Sequence, residues 1–417
     1  METETGGRRK PKSESLAAAW RMLGWLLLTQ TAVAFVGRSL APLGPLVEAD
    51  LLLSKAQVGM LMAALFLGQS LVSLPSGYLA DRLGSRRLLI GLTLCLGSGF
   101  AVAALLDSFW WMLVFITIGG LGYGAMHPTS NRGIVYWFPL ERRGTAMGLK
   151  QMGVTAGSSL AVLLLLPLAL QWGWRITLIL ACLLLTLIGL AAWWGYRDPA
   201  SGEAGVSMGV RAFFASLWKM VRHRRLLAVS LAAFGLSGAQ MCLTTYVVFF
   251  AHEQLGYGLY LAGLLLFVSE VGGSAGRVLW GVISDRFFGG RRLIVLVLIA
   301  LVTAACSVVT AWLPAGAPFW AVLPLIALFG FGIAGFNGMW MNAAAESVPK
   351  EWSGLASGFS ISVGSWGVIL GPPIFGWLVD RNHDYTIAWL FLAALMLVVI
   401  GLLIWGMVKG GRAPAGG

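Results

Sequence analysis

The sequence predicts an all-α membrane protein in which twelve transmembrane helices form two pseudo-symmetric bundles of six. Its residues are 58% hydrophobic and only 11% charged, and its mean hydropathy of +0.82 lies far above that of soluble domains. A helix that crosses about 30 Å of hydrocarbon at about 1.5 Å per residue needs about 20 apolar residues. The 417 residues therefore have room for about twelve spans, and an internal repeat divides them into halves.

Apolar runs separated by Gly, Pro and charged residues place the predicted spans in order. In the first half they cover residues 22–46, 58–80, 88–106, 110–137, 144–170 and 174–196. In the second half they cover residues 226–250, 259–283, 293–313, 320–346, 353–379 and 387–408. We therefore expect a tail at 1–21, a six-helix bundle at 22–196, a linker at 197–225, a second bundle at 226–408 and a tail at 409–417.

The formal net charge of +12 raises the question of nucleic-acid binding. The positions of the basic residues answer it, because they follow the membrane topology instead of forming one patch. Of the 29 Lys and Arg residues, 22 fall on one side of the predicted spans, whereas Lys55, Arg175 and Arg381 fall on the other. The positive-inside rule then places both termini in the cytoplasm, as in a protein of the bacterial inner membrane. We expect the bilayer as a partner and no nucleic acid.

Sequence signals for cofactors and catalysis are missing. The four cysteines lie in separate spans, without the spacing of a metal site or a disulfide framework. Glycine pairs lie inside apolar runs, and no Walker-type Gly-Lys-Ser/Thr follows them. Neither a His-Glu-x-x-His motif nor a pair of intramembrane acids is present. We expect no metal, no cofactor, no catalytic residue and no enzyme activity. The N-terminus is also predicted to lack a cleavable signal.

An internal repeat relates the two halves. The segment Gly77-Tyr-Leu-Ala-Asp81-Arg82-Leu-Gly84-Ser-Arg86-Arg87 follows the second span, and Gly281-Val-Ile-Ser-Asp285-Arg286 follows the eighth, 204 residues later. A second set of residues recurs at an offset of 210: Pro139, Glu141, Gly144, Ala146, Gly148 and Gly157 match Pro349, Glu351, Gly354, Ala356, Gly358 and Gly367. Two matches with nearly one offset indicate a duplicated six-helix unit.

These repeated loops resemble the signature of the major facilitator superfamily, Gly-x-x-x-Asp-Arg-x-Gly-x-Arg-Arg, over essentially the whole chain. The resemblance implies the major facilitator fold, secondary active transport by alternating access, and a monomer. It also implies that Asp81 and Arg82, with the degenerate copy Asp285 and Arg286, form a gate on the cytoplasmic face. We add Arg132, in the last turns of the fourth span, to this gate.

Two segments are similar to the organic-anion branches of that superfamily. Arg277, eight residues before Asp285, matches the substrate-binding Arg of oxalate:formate antiporters and monocarboxylate transporters, and nitrate/nitrite porters also carry an Arg there. Asn131-Arg132, Trp137-Phe138-Pro139 and Arg38 resemble the anion:cation symporters. The chain departs from these branches where they carry charged residues, at Gly37, Ser73, Ile116, Tyr123 and Gly273.

Charged side chains inside the membrane are costly and usually mark function. We predict that Arg277 and Arg38 bind the substrate, with Tyr123, Gln240, Asn337 and Trp340 lining the same cavity. The alternative for Arg277 is a structural ion pair with Glu270, seven residues earlier on the same helical face. Lys150, near the cytoplasmic end of the fifth span, is expected to be structural.

Proton coupling has two candidates in the predicted spans, Glu270 and His127. The alternatives are an ion pair of Glu270 with Arg277 and a packing role for His127. The expected function is uptake of a small organic or inorganic anion together with protons. An exporter of drug-like or metabolite molecules is the alternative within transport, and a membrane sensor is the alternative outside it.

Overall fold

The computed structural model describes residues 16–198, 220–349 and 352–409. Within these ranges it contains twelve helices that are long and apolar enough to cross a membrane. The fold class predicted from the sequence is confirmed. Most of the predicted linker, residues 199–219, and the outer parts of both predicted tails lie outside the described residues.

The first half contains helices α1 to α6. Their bounds are α1, Leu16–Gly37 continued by Leu40–Leu51; α2 and α3, within the helical run Lys55–Ala104; α4, Phe109–Trp137; α5, Leu140–Leu160 continued by the π-helical Ala161–Leu165 and by Leu166–Trp172; and α6, Trp174–Gly195. Gly84 separates α2 from α3, because its φ of 81° and ψ of 160° interrupt the helix in a conformation that favours glycine.

The second half contains helices α7 to α12. Their bounds are α7, Arg224–Glu253; α8, Leu259–Phe287; α9, Arg292–Ala311; α10, Phe319–Ile333 continued by Asn337–Ala345; α11, Ser353–Asn382; and α12, Thr386–Lys409. We call the end of the bundle at which Glu48, Glu253 and Asp380 lie the acidic end. The opposite end, at which Arg86, Arg286 and Arg292 lie, is the basic end.

The repeat seen in the sequence recurs in the packing of the two halves. A Cβ atom on Gly120 of α4 would overlap the Leu65 carbonyl oxygen of α2, and one on Gly330 of α10 would overlap the Ser269 carbonyl oxygen of α8. The two glycines are 210 residues apart and the two carbonyl residues are 204 apart, the same offsets as in the repeated motifs. Glycine allows helix backbones to approach closely where lipid supplies no hydrophobic drive.

Large apolar side chains cover the outside of the bundle, as expected for a surface in contact with lipid. Trp110 and Trp320, near the acidic end, are 71% and 80% exposed, and Trp194, near the basic end, is 76% exposed. Tryptophan at both ends of a helix bundle matches the aromatic belts at membrane interfaces. The polar groups considered below therefore lie inside the bundle or at its two ends.

Candidate functional site

A break in α1 places Arg38 at mid-depth. Pro42 has no N–H to donate to the Arg38 carbonyl four residues earlier, so the helical ladder opens there. The Ala41 N–H bonds that carbonyl at 3.2 Å instead, and the Ser39 hydroxyl donates to the Val36 carbonyl at 2.7 Å. Helix α1 is therefore interrupted beside Arg38.

Arg38 forms an ion pair that joins the two halves. Its Nη1 lies 3.5 Å from Oε1 of Glu270 in α8, and the two side chains are 12% and 4% exposed. The Nε of Arg38 is buried and has no hydrogen-bond partner. A buried charge pair needs further hydrogen bonds to offset the cost of its desolvation. Because Nε of Arg38 donates none, part of that cost is not offset.

Tyr123 supports Arg38 from α4. A Cβ atom on Gly37 would lie 2.6 Å from Cε2 of the Tyr123 ring, so glycine at this position makes room for the ring. The Tyr123 hydroxyl interacts with the Arg38 guanidinium, and the residue is only 4% exposed. Gly37 and Tyr123 both depart from the anion:cation symporter pattern, and the two departures are linked because the small residue makes room for the large one.

Arg277 lies beside the same pair. Its Nε donates at 3.2 Å to the Ala334 carbonyl, which is freed by the break between the two segments of α10. It is within electrostatic range of Glu270, Arg38 and Tyr123. The ion pair of Glu270 is made with Arg38, however, so the intrahelical pair considered from the sequence is not the contact that forms.

Lys150, which the sequence placed near the cytoplasmic end of its span as a structural residue, is buried in the structure. It is only 2% exposed, and its Nζ lies 3.0 Å from Oδ1 of Asn131 and 3.4 Å from Nδ1 of His127, both in α4. Ten residues separate it from the start of α5 at Leu140, which is about 15 Å of helix and half of a membrane. The fifth span predicted from the sequence begins at residue 144, only six residues before Lys150, and so placed it nearer the end of the span.

The remaining predicted lining residues lie in the second half. Asn337, the first residue of the second α10 segment, donates to Oε1 of Gln240 in α7 at 3.4 Å. Trp340 is 7% exposed, and its indole N–H donates to the Ser360 hydroxyl at 2.7 Å. Gln240 and Asn337 are half-buried, whereas Trp340 packs within the second half.

The mid-depth groups carry an excess of positive charge. Arg38, Arg277 and Lys150 oppose the single carboxylate of Glu270, and His127 lies within electrostatic range of both Lys150 and Arg38. We call Arg38, Arg277, Glu270, His127 and Lys150 the central charge cluster. A site with a net positive charge in a low-dielectric setting favours an anion.

At the acidic end, Lys55 of α2 bonds acids from both halves. Its Nζ lies 2.5 Å from Oε2 of Glu48 in α1 and 2.5 Å from Oε1 of Glu253 in α7. The Tyr385 hydroxyl donates to the Glu253 carboxylate at 2.7 Å. Burial and that carboxylate raise the pKa of Tyr385 well above its ordinary range, so the hydroxyl keeps its proton and donates.

Asp380 of α11 makes a second interaction between the two halves at the acidic end. Its carboxylate accepts hydrogen bonds from the Lys55 and Ala56 N–H groups, at 2.8 and 2.9 Å, and so caps α2. The Tyr246 hydroxyl of α7 lies 2.8 Å from the carbonyl oxygens of both Lys55 and Pro372. We call Lys55, Glu48, Glu253, Asp380 and Tyr246 the acidic-end latch. The sequence reasoning had not assigned it.

At the basic end, the ion pairs described for Asp285 and Arg132 lie within their own halves. Arg292 bonds Asp285 at 2.6 Å in the second half, and Arg132 approaches Asp198 at 4.0 Å in the first. Arg82 and Arg286 are exposed. The side chain of Asp81 lies outside the described part of the chain. The gate predicted from the loop motifs stays a prediction.

A family model for the Major Facilitator Superfamily matches residues 26–372, most of the chain. The chain belongs to the Major Facilitator Superfamily. It is therefore a membrane transporter and not an enzyme, as the sequence predicted.

Among its curated relatives, this superfamily member is similar to proteins named for organic anions. It is 23% identical to a probable sulfoacetate transporter of Cupriavidus necator, with 87% of this chain and 88% of that protein covered. It is 25% identical to a probable galactarate/D-glucarate transporter of Bacillus subtilis, with 96% and 94% covered.

A solved structure confirms the superfamily fold. A bacterial homologue of the human lysosomal transporter Spinster, crystallised in an inward-facing and occupied conformation, aligns with a TM-score of 0.77 at 17% identity, over 94% of this chain and 98% of that one. In this transporter, the central charge cluster thus lies between the two halves of a major facilitator fold.

Proposed function

We propose that this transporter imports a small organic anion together with protons by alternating access. The ion pair between Arg38 and Glu270 carries the proposal, because it places a cation and a carboxylate from opposite halves against each other at mid-depth. Arg277 adds a second guanidinium to the same place. The names of the relatives, sulfoacetate and galactarate/D-glucarate transporters, support an anionic cargo.

The coupling follows from the charge of Glu270. When its carboxylate takes a proton, Arg38 loses its negative partner and is available, with Arg277, to a substrate anion. When the anion leaves, Arg38 pairs with Glu270 again and the proton is released. The positive charge of Arg38 is thus neutralised either by the bound anion, with Glu270 protonated, or by the ionised carboxylate of Glu270. The anion and the proton therefore bind together and are released together.

The proposal includes an orientation. The basic end carries most of the Lys and Arg residues, so it faces the cytoplasm of a bacterial cell under the positive-inside rule. The acidic-end latch then closes the outer side, and the described state is open toward the cytoplasm.

Uptake of radiolabelled sulfoacetate or D-glucarate into proteoliposomes, driven by an imposed pH gradient, tests the function. We expect accumulation by the wild type and its loss in Arg38→Ala and Arg277→Ala. Glu270→Gln should still exchange labelled for unlabelled anion but should not accumulate it against a gradient. Arg21→Ala, on the exposed surface of the same helix as Arg38, is the control and should transport normally. Gradient-independent uptake, or normal uptake by Arg38→Ala, would contradict the proposal.

A further inference from the structure

We infer that His127 is a fixed hydrogen-bond donor to the substrate anion and that Lys150 is the positioning residue that holds it in that role. The inference rests on the proposed function for the existence of an anionic cargo. It assigns His127 a role different from the one expected from the sequence, where it was a second candidate for carrying the proton.

The contact between Lys150 and His127 fixes the imidazole tautomer. The Lys150 Nζ lies 3.4 Å from Nδ1 of His127 and 3.0 Å from Oδ1 of Asn131. An ammonium group carries three donors and no acceptor, so Nδ1 must accept. A neutral imidazole has one ring proton, which therefore lies on Nε2.

The charges around His127 oppose a second ring proton. Lys150 of α5 and Arg38 of α1 are the cations within its electrostatic range. The other helices packed on α4 face this region with the uncharged Gln69 of α2, against Gly124, and Ser85 of α3, whose hydroxyl donates to the Thr129 carbonyl. A positive imidazolium would add a third cation to this group, which like-charge repulsion disfavours.

Lys150 also lacks a counter-ion. Within the described residues, no carboxylate lies within ion-pair distance of its Nζ, although the residue is only 2% exposed. An unpaired buried ammonium is costly, and an anion bound near His127 reduces that cost. The same arrangement that fixes the tautomer therefore also attracts the ligand.

The free donor is Nε2. His127 is half-buried, and within the described residues its Nε2 donates no hydrogen bond. Because His127 is within range of Arg38, an anion held by Arg38 and Arg277 is able to accept from it as well. With Glu270 protonated, the two arginines and Lys150 face the bound anion, which suits an organic anion with two negative charges, one group on the arginines and one near His127.

The tautomer is tested by nitrogen NMR of the purified protein with ¹⁵N-labelled histidine. Four histidines are present, and His127→Gln identifies the signals of His127 by their loss. We expect a neutral ring with its proton on Nε2 at about pH 7. In Lys150→Met, Nδ1 is freed and the signals should change with pH. A wild-type imidazolium, or a proton on Nδ1, would overturn the inference.

The ligand role is tested by uptake of sulfoacetate, a dianion, and methanesulfonate, its singly charged counterpart. His127→Gln keeps a donor near the position of Nε2, whereas His127→Asn and His127→Ala do not. We expect the sulfoacetate KM to rise about tenfold in the last two and to stay within about threefold in His127→Gln. Lys150→Arg keeps the charge and should be milder than Lys150→Met. The methanesulfonate KM should change little.

Different results would contradict the role of His127 and the proton-coupled transport of an anion. If His127→Gln loses proton-driven accumulation but still exchanges sulfoacetate, His127 carries the proton and the inference is wrong, while proton-coupled anion transport stands. An unchanged sulfoacetate KM in His127→Ala also overturns the inference. If the wild type transports neither singly nor doubly charged organic anions, the proposed function fails, and the NMR result still decides the tautomer.

Discussion

Two aspartates cap helix N-termini at opposite ends of the molecule. One caps a helix of the other half, whereas the second caps a helix of its own half. Asp380 accepts hydrogen bonds from the first N–H groups of α2, at 2.8 and 2.9 Å, from the opposite half. Asp198 accepts from the Ser85 and Arg86 N–H groups of α3, at 2.8 and 3.1 Å, within its own half. The same kind of interaction therefore joins the two halves at the acidic end, whereas at the basic end it joins two elements of the first half.

Glycines at the two ends show the same difference in packing. A Cβ atom on Gly59 would lie 2.5 Å from the Tyr246 hydroxyl and 2.6 Å from the Pro372 carbonyl oxygen, across the interface between the halves. By contrast, a Cβ atom on Gly148 or Gly358, toward the basic end, would meet no atom of the described residues within 4 Å. Helices α5 and α11 therefore border open space there.

The comparison shows that the central charge cluster is separated from the acidic side by a tightly packed, hydrogen-bonded interface. The acidic-end latch must come apart if the site is to face that side. Its strength therefore contributes to the balance between the two states of the transporter. Substitutions at the two ends should have unequal effects on this balance.

The largest effect is expected for Gly59→Leu. Its side chain would overlap Tyr246 and Pro372, and overpacking of this kind costs about 3 kcal/mol. The equilibrium between the states closed and open at the acidic end should therefore shift about 100-fold toward the open state. Spin labels at Leu105 and Asn382 should move apart at the acidic end, as measured by double electron–electron resonance after replacement of the four cysteines. Anion uptake should fall at least about tenfold.

Gly148→Leu is the matched control for Gly59→Leu. Its side chain enters open space in this state, so the distance between Leu105 and Asn382 should not change. Labels at Arg142 and Phe287 should report a basic end that stays open. If Gly59→Leu left the acidic-end distance unchanged, the interface would not be as tight as described.

A smaller effect is expected for Asp380→Asn. The variant loses charge-assisted hydrogen bonds to the start of α2, each of about 1.5–3 kcal/mol, and an amide recovers part of them. We expect the acidic-end-open population to rise about tenfold. Asp198→Asn, which weakens the corresponding cap within one half, should leave that population unchanged. Equal responses of the two variants would remove the distinction between the caps.

Tyr246→Phe should have a still smaller effect in the same direction. It removes the hydroxyl between the Lys55 and Pro372 carbonyl oxygens, a loss of about 1 kcal/mol or about fivefold. Tyr257→Phe is the control, because its hydroxyl bonds Ala317 within the second half. The same distance measurement applies. A larger opening in Tyr257→Phe would show that hydroxyl loss destabilises the bundle in general.

The smallest effect is expected for Arg292→Gln at the basic end. Its partners Asp285 and Glu346 are 65% and 50% exposed and belong to the same half, so solvent screens the pairs to about 0–1 kcal/mol. Uptake and both label distances should stay within about twofold of the wild type. A large loss of uptake would indicate that Arg292 also contacts the first half in another state.

The sequence by itself determined the twelve helices, the duplicated half and the main polar candidates. Hydropathy and the positions of Gly and Pro are local properties, and the cost of a charge in lipid makes Arg38, Arg277 and Glu270 conspicuous without a structure. The repeat offsets of 204 and 210 recur in the packing of equivalent glycines, Gly120 and Gly330.

Only the tertiary structure decided which groups meet. Glu270 has Arg277 seven residues away on its own helix, yet it pairs with Arg38, which is 232 residues distant in the chain. Likewise, nothing local joins Asp380 to the start of α2 or Lys150 to His127. Helix periodicity fixes the face on which a residue lies, but partners across an interface depend on how the helices bend, cross and assemble.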